Sequence, residues 1–275
     1  MKKIVQSAFD IVADLCLRFR FLRSGIRYIS NRFDGFQYGS YSLVDETALA
    51  LSFLPIGGGG GIIIDGGANK GYYTRSLLDA KANISKIIMI EPSPSLNESL
   101  KNLQIASFNV EFEAVAIGSN PAKLELFFDE EGSGFASLYQ RDIRHVGVEM
   151  NHSVEVPVLT LDDLALKHNL SAIDFLKLDL EGHELEALKG AKSLFQQNKI
   201  RAIAFEFGGC NIDSRTFFKD FYQLLVYEYG FTMYRLAPGR KLISMQSYNE
   251  SLERFSWQNI LACAPGVKPK WKVIL

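Results

Sequence analysis

The stretch that most limits what this 275-residue chain can become is Ile62-Ile63-Ile64-Asp65-Gly66-Gly67-Ala68-Asn69-Lys70-Gly71. Three consecutive β-branched residues make an apolar burst too short for a helix, and it reads as a strand buried on both faces. The glycines behind it turn the chain tightly into a helix expected over residues 72–78. Similar bursts recur at 86–91, 110–113, 173–178 and 202–207, with helices expected at 94–103 and 183–195. Strands apolar on both faces that alternate with helices imply a parallel sheet covered on both sides. The expected fold is therefore doubly wound α/β. Residues 231–236, 241–245 and 257–263 read as strands finishing the same sheet. Thr160, with Asp163 three residues on, reads as a capping box, and Asp213 as the cap of a phenylalanine-rich helix that Gly230 ends.

Composition excludes several classes of protein. Hydrophobic residues make up 47% and charged residues 22%, the balance of an ordinary globular chain. The formal net charge of −1 argues against duplex nucleic acid as a partner, because such surfaces require a cationic excess. Cys16, Cys210 and Cys263 lie far apart without metal-ligand spacing, which disfavours a disulfide framework or zinc site and fits a reducing cytoplasm. The uncharged stretch 47–64 contains Pro55 and five consecutive glycines, Gly57 to Gly61, so it is not expected to span a membrane. No secretion signal is expected either, because Asp10, Asp14 and Arg18 interrupt the apolar residues of the N-terminus.

Charge is unevenly distributed. Residues 1–34 carry seven basic and three acidic side chains, leaving the remainder at −5. In that segment Ile4, Ala8, Ile11, Val12, Leu15, Phe19, Leu22 and Ile26 recur at steps of three and four, forming one apolar stripe on a helix. Residues 1–56 are expected to be an N-terminal helical extension and residues 57–275 the main domain. The helix could dock on that domain, rest peripherally on an anionic inner membrane face, or meet a partner.

Asp65, Gly67, Asn69 and Gly71 at the first strand's end would let a ligand approach the backbone, offer an anion a helix N-terminus and offer a cation a carboxylate. A zwitterionic amino-acid moiety meets both demands. Glu91, at the second strand's tip, is placed to accept ribose hydroxyls. Ribose plus an amino-acid tail indicates S-adenosylmethionine. A Walker loop is excluded by the absence of Gly-Lys-Ser/Thr, and no tyrosine is followed by lysine four residues later, as short-chain dehydrogenases require.

Asp179, Glu181 and His183 follow the fourth strand, beside the point where strand order reverses, and Glu206 sits near the tip of the fifth. Methyl transfer to a hydroxyl requires a positioned acceptor and removal of its proton. These four are the candidate catalytic residues. Asp179, Glu181 and Glu206 are also candidates for a divalent metal such as magnesium. The chain has neither the Pro-Pro-aromatic motif usual in amide and adenine N-methylation nor a Pro-Cys pair for cytosine, so an oxygen acceptor is expected. The segment from Gly132 to Tyr139, with Arg141, Arg144, His145 and His152 after it, is expected to cross the mouth of the site.

In order along the chain stand IIIDGGANKGYYT, IEPSP, EAVAIG, GSGFASLYQR, VPVLTLDDL, DFLKLDLEGHELEALKGA and AFEFGG. This succession resembles the FkbM family of class I methyltransferases. The resemblance implies a Rossmann-like, seven-stranded, mostly parallel sheet and O-methylation dependent on S-adenosylmethionine, commonly of sugar hydroxyls in surface polysaccharides, glycolipids or secondary metabolites. By position it carries cofactor binding onto Asp65, Gly67, Asn69, Gly71 and Glu91, and onto Glu113 and Ala114 near the adenine. A non-sugar acceptor, or a non-catalytic module binding the cofactor or a nucleotide-sugar, remains an alternative.

Overall fold

The computed structural model describes residues 10, 12–13, 19–36, 43–56, 59–107 and 109–274. Cys16 and the first part of the expected N-terminal stripe lie outside them. Helix α1 (Arg20–Phe33) and α2 (Leu43–Ser52) precede β1 (Gly61–Gly66), α3 (Tyr72–Asp79), β2 (Ile84–Ile90), α4 (Asn97–Ala106) and β3 (Val110–Glu113). Then come the short β4 (Ala116–Ile117), β5 (Ala122–Phe128) and β6 (His152–Leu159), α5 (Leu161–Lys167) and β7 (Phe175–Leu178). Beyond these follow α6 (Glu184–Lys189), α7 (Lys192–Gln196), β8 (Ala202–Phe207), α8 (Cys210–Asp213) and α9 (Phe218–Tyr222), which runs on into one π-helical segment. Strands β9 (Thr232–Ala237), β10 (Lys241–Met245), β11 (Gln258–Cys263) and β12 (Lys272–Ile274) complete the chain.

The main sheet is ordered β12-β10-β9-β11-β8-β7-β1-β2-β3. Strands β3, β2, β1, β7 and β8 are parallel, while β11 runs antiparallel to both β8 and β9. The sheet has nine strands rather than the seven implied by the family resemblance, because β10 and β12 extend the antiparallel edge. Ile63, Ile64, Ile87 and Ile88 are completely buried, so both sheet faces are covered, as the apolar bursts require.

Three features depart from the sequence reading. Strands β4, β6 and β5 form a separate three-stranded sheet. The helix expected over 183–195 is two helices, α6 and α7, broken at Gly190, where a side chain would collide with the Gly118 carbonyl. Asp213 closes α8 instead of capping the phenylalanine-rich helix, which starts at Phe218 and receives its cap from Glu253, whose Oε2 and Oε1 accept from the Phe218 and Lys219 amides at 2.8 and 2.9 Å. The capping box at Thr160 is present, with the Asp163 amide donating to Thr160 Oγ1 at 3.0 Å. Helix α2 lies within the main core, since Leu49, Ala50, Phe53 and Leu54 pack in one cluster with Ile63 and Leu77.

Candidate functional site

Strand order reverses between β1 and β7, and a ligand-binding crevice outside a parallel sheet is expected at that point. A cavity of about 340 Å³ opens there, at the carboxyl ends of β1, β2, β7 and β8. Gly67, Asn69 and Glu91 form one wall, while Pro92, Val115, Ala116 and Leu126 form an apolar one. Asp179, Glu181, His183 and Glu206 all reach this cavity. Residues far apart in sequence therefore share one volume.

The turn after β1 is held from both sides. The Gly67 and Ala68 amides donate to the Ile90 carbonyl at 2.9 and 3.0 Å, and the Asp179 amide donates to the Gly66 carbonyl at 3.0 Å. Gly67 has φ +79°, and a β-carbon there would overlap the Asp179 carbonyl. Asn69, also left-handed at φ +45°, donates its amide to Glu91 Oε2 at 2.9 Å and its Nδ2 to the Ser133 carbonyl at 3.0 Å. It thus ties the turn to the second strand's tip and to the loop above. Glu91 Oε1 accepts from the Ser93 amide and hydroxyl at 2.9 and 2.6 Å. Three protein donors leave this carboxylate about one of its roughly four lone-pair positions.

Four residues expected at the cofactor are not on the cavity wall. Asp65 is completely buried beneath the turn, where Thr74 Oγ1 donates to its Oδ2 at 2.7 Å, while Oδ1 has no partner among the described residues. Burial raises its pKa against the opposing influence of Lys177. Gly71 faces the Leu100 and Leu103 methyl groups. The Glu113 side chain pairs with Lys167 and His168, each at 2.7 Å, although its carbonyl accepts the Glu91 amide at 3.1 Å and so helps position Glu91. Ala114 stands next to the wall residue Val115.

The four strand-tip groups differ in environment. Lys177 Nζ donates to Asp179 Oδ2 at 3.0 Å. Glu181, in a left-handed conformation at φ +49°, is paired with the nearly buried Arg141 guanidinium, which also lies 3.5 Å from Asp213. Burial and the nearby Asp179 nevertheless push Glu181 up to about 7. Burial, with Asp179 and Glu181 close by, raises the Glu206 pKa well above its ordinary value and so favours the protonated form. Burial also pushes His183 down to about 4, leaving it neutral, and its Nδ1 lies 3.0 Å from the Tyr139 hydroxyl.

Of the segment expected over the mouth, residues within 133–138 reach the cavity, whereas Arg144, His145 and His152 are not on its wall. Ser133, Gly134, Ala136, Ser137 and Leu138 line the cavity, and Ser137 Oγ donates to the Glu181 carbonyl at 2.8 Å. Sequence reasoning missed Asp213 as a partner of Arg141 and overlooked Glu184, a completely buried carboxyl that accepts the Leu180 amide at 2.8 Å. No group of three or more His, Cys, Asp or Glu among the described residues is arranged to hold a metal ion. Glu181 is already paired with Arg141, and the expected metal candidates Asp179, Glu181 and Glu206 do not form such a group.

A buried neutral imidazole couples stability to pH. The unfolded chain protonates His183 near its ordinary 6.5, whereas the folded chain resists until about 4. Its stabilising contribution is therefore complete above 6.5 and is lost as pH falls towards 4, a change of roughly 3 kcal/mol. Denaturant titrations of the protein and His183→Asn should show their stability difference shrinking by that amount over the interval. A constant difference would contradict the assignment.

A family model described as the methyltransferase FkbM domain matches residues 65–233. The curated Methyltransferase 1 of Beauveria bassiana (strain ARSEF 2860) is 29% identical over 143 residues, an alignment covering 46% of this chain and 57% of that protein. The chain thus matches little more than half the length of this relative. Among solved structures, methyltransferase FkbM from Methylobacillus flagellatus KT aligns with a TM-score of 0.48 at 15% identity, over 83% of this chain and 49% of that one. Aeropyrum pernix fibrillarin, solved with natively bound S-adenosyl-L-methionine, aligns with a TM-score of 0.40 at 13% identity, over 80% and 75% of the two chains.

Proposed function

Because this chain belongs to the FkbM methyltransferase family, we propose that it transfers the methyl group of S-adenosylmethionine to a hydroxyl of a sugar or glycoconjugate. The observation that carries this reading is the single cavity into which the glycine turn, Glu91 and all four strand-tip groups project. Its volume of about 340 Å³ falls in the usual range for a small-molecule site, roughly 300–1,000 Å³. Gly67 provides the close backbone approach, and Val115, Ala116 and Leu126 provide an apolar wall suited to an adenine. The residues present therefore fit the cofactor. When bound, it supplies an electrophilic methyl on a cationic sulfonium.

The protein's own groups divide the remaining work. Glu91, preset by Asn69 and Ser93, turns its remaining lone-pair position to a ribose hydroxyl. The Asp179 carboxylate supplies negative charge on the cavity wall. In the tautomer that carries its hydrogen on Nδ1 and donates to the Tyr139 hydroxyl, His183 has Nε2 left to accept the acceptor hydroxyl's proton, and Tyr139 fixes the ring's orientation. Glu206, whose pKa burial raises, donates a hydrogen bond to a neighbouring oxygen of the acceptor when it carries its proton. Hydroxyl, imidazole and carboxylic-acid groups on one wall suit a polyhydroxylated acceptor better than an apolar one.

Calorimetry with S-adenosylmethionine is the first test, and folded protein that binds none would end the proposal. Labelled methyl donor incubated with nucleotide-sugars and cell-surface glycans then tests the acceptor class. His183→Ala is expected to lower turnover at least about 100-fold, with cofactor affinity within twofold. Asp179→Asn should instead weaken binding of the cationic cofactor more than that of its uncharged demethylated product. A His183→Ala enzyme with normal turnover would remove the histidine from its role.

A further inference from the structure

Helix α1 turns an apolar stripe outward. Leu22, Ile26, Ile29 and Phe33 follow at steps of four, three and four along one face, and Phe33 and Ile29 are 77% and 55% exposed. Phe21 and Tyr28 are exposed beside the stripe, and Arg23 and Arg27 are exposed on the same helix. The stripe is not waiting for the domain to cover it, because α1 is already fastened at its other end. Asn31 accepts from Arg254, and the Asp34 carbonyl accepts from Arg235 Nη1 at 3.0 Å. The Phe36 ring is sandwiched between the Arg235 and Arg254 guanidiniums, at 4.1 and 4.0 Å.

Between α1 and the edge of the main sheet lies an apolar groove of about 360 Å³, lined by Tyr28, Ile29, Phe33, Ala237, Pro238 and Ile274. Arg32 and Lys241 form its rim. Lys241 stands directly beside Lys272 in the parallel register of β10 and β12, and both are exposed. Like charges set side by side on neighbouring strands repel unless an anionic surface lies against them. We propose that this face, made of α1 and the β10–β12 edge, docks on an anionic lipid bilayer, with the aromatic and aliphatic stripe entering the headgroup boundary and the arginines and lysines meeting the lipid phosphates.

Charge decides between this occupant and a second copy of the chain. A symmetric pair would bring the same arginines and lysines against one another, whereas anionic headgroups satisfy them and leave the stripe an apolar layer to enter. The docking is peripheral, since no helix among the described residues is long and apolar enough to cross a membrane. Because α1 is held at Asn31, Asp34 and Phe36, docking would also fix the orientation of the catalytic domain relative to the lipid plane.

Flotation of the full chain with phosphatidylcholine vesicles, with and without phosphatidylglycerol, tests the proposal. Association is expected with the anionic vesicles and should weaken as salt is raised. Arg23→Glu with Arg27→Glu should lower partitioning at least tenfold, since each cation near such a surface contributes about fivefold. Ile29→Ser with Phe33→Ser should lower it comparably, and unchanged melting midpoints would establish that both variants fold. Equal binding to neutral and anionic vesicles, or binding to neither, would overturn the proposal. So would a dimer in light scattering that Ile29→Ser with Phe33→Ser dissociates, because the face would then belong to a second copy.

Discussion

Replacing Gly67 with alanine is expected to remove detectable binding of S-adenosylmethionine and to destabilise the fold by about 2–5 kcal/mol. Two costs combine at this position. A left-handed backbone with a side chain costs about 1–2 kcal/mol, and crowding in a packed site typically costs a further 1–3 kcal/mol. The atom in the way is the Asp179 backbone carbonyl, not the end of a flexible side chain. Neither side can yield cheaply, since the Gly67 amide is bonded to Ile90 and the Asp179 amide to Gly66. Relief requires the tips of β1 and β7 to separate, and that movement opens the wall on which the cofactor is expected to lie.

Two controls grade this effect. Gly71 has a similar φ of +74°, but a β-carbon there meets only Leu100 and Leu103 methyl groups, so Gly71→Ala should lose about 1–2 kcal/mol and keep most of its affinity. Gly134 lines the same cavity with nothing within 4 Å, and Gly134→Ala should fold normally. Thermal unfolding with parallel calorimetry measures the series. Gly67→Ala binding within a few-fold of the parent would show that the turn does not cradle the cofactor.

Much of this architecture was legible because its central strands are unambiguous locally. Val110–Glu113, Ala202–Phe207 and Lys241–Met245 form where their residue patterns predict. The β4-β6-β5 sheet escaped the sequence reading because it is half solvated, and four of the seven β5 residues are exposed. Apolar bursts announce buried strands, whereas such an edge does not. The break falls at Gly190, where the Gly118 carbonyl, 72 residues earlier in the chain, leaves no room for a side chain, and no local pattern reports that approach.

The site divides along the same line. Asp179, Glu181, His183 and Glu206 could be gathered from strand tips, because topology alone brings such tips together. Their protonation could not be read in this way. Glu181 and Glu206 are both strand-tip glutamates, yet one is paired with Arg141 and the other is not. Asp65 illustrates the reverse case, a suitable residue type at a suitable position that is completely buried off the cavity wall, with Thr74 donating to it and Lys177 opposing its raised pKa.

Lys177 should be among the least replaceable side chains outside the hydrophobic core. Its ammonium lies among Asp179, Asp65 and Glu46, which come from the end of β7, from β1 and from α2. Burial alone would lower the lysine's pKa, but the three carboxylates outweigh it and the pKa is raised. Lys177→Met would leave those acids facing one another without a cation, and breaking a buried ionic group in this way costs about 3–5 kcal/mol. At about 2–4 °C per kcal/mol for a domain of this size, the melting midpoint should fall on the order of 10 °C.

The sign of the pH response distinguishes this electrostatic cause from lost packing. Burial already raises Asp65, and it pushes Glu46 up to about 7, while Lys177 opposes both shifts. Removing the lysine raises both further above their unfolded values. An acid raised on folding destabilises the native state above its unfolded pKa, and that penalty is relieved as pH falls through the folded pKa. The deficit of Lys177→Met should therefore narrow as pH is lowered from about 8 towards 5, and Asp65→Asn in the same background should recover part of it. A deficit independent of pH, with no recovery from Asp65→Asn, would mean that the lysine acts through the packing of its aliphatic stem and not through its charge.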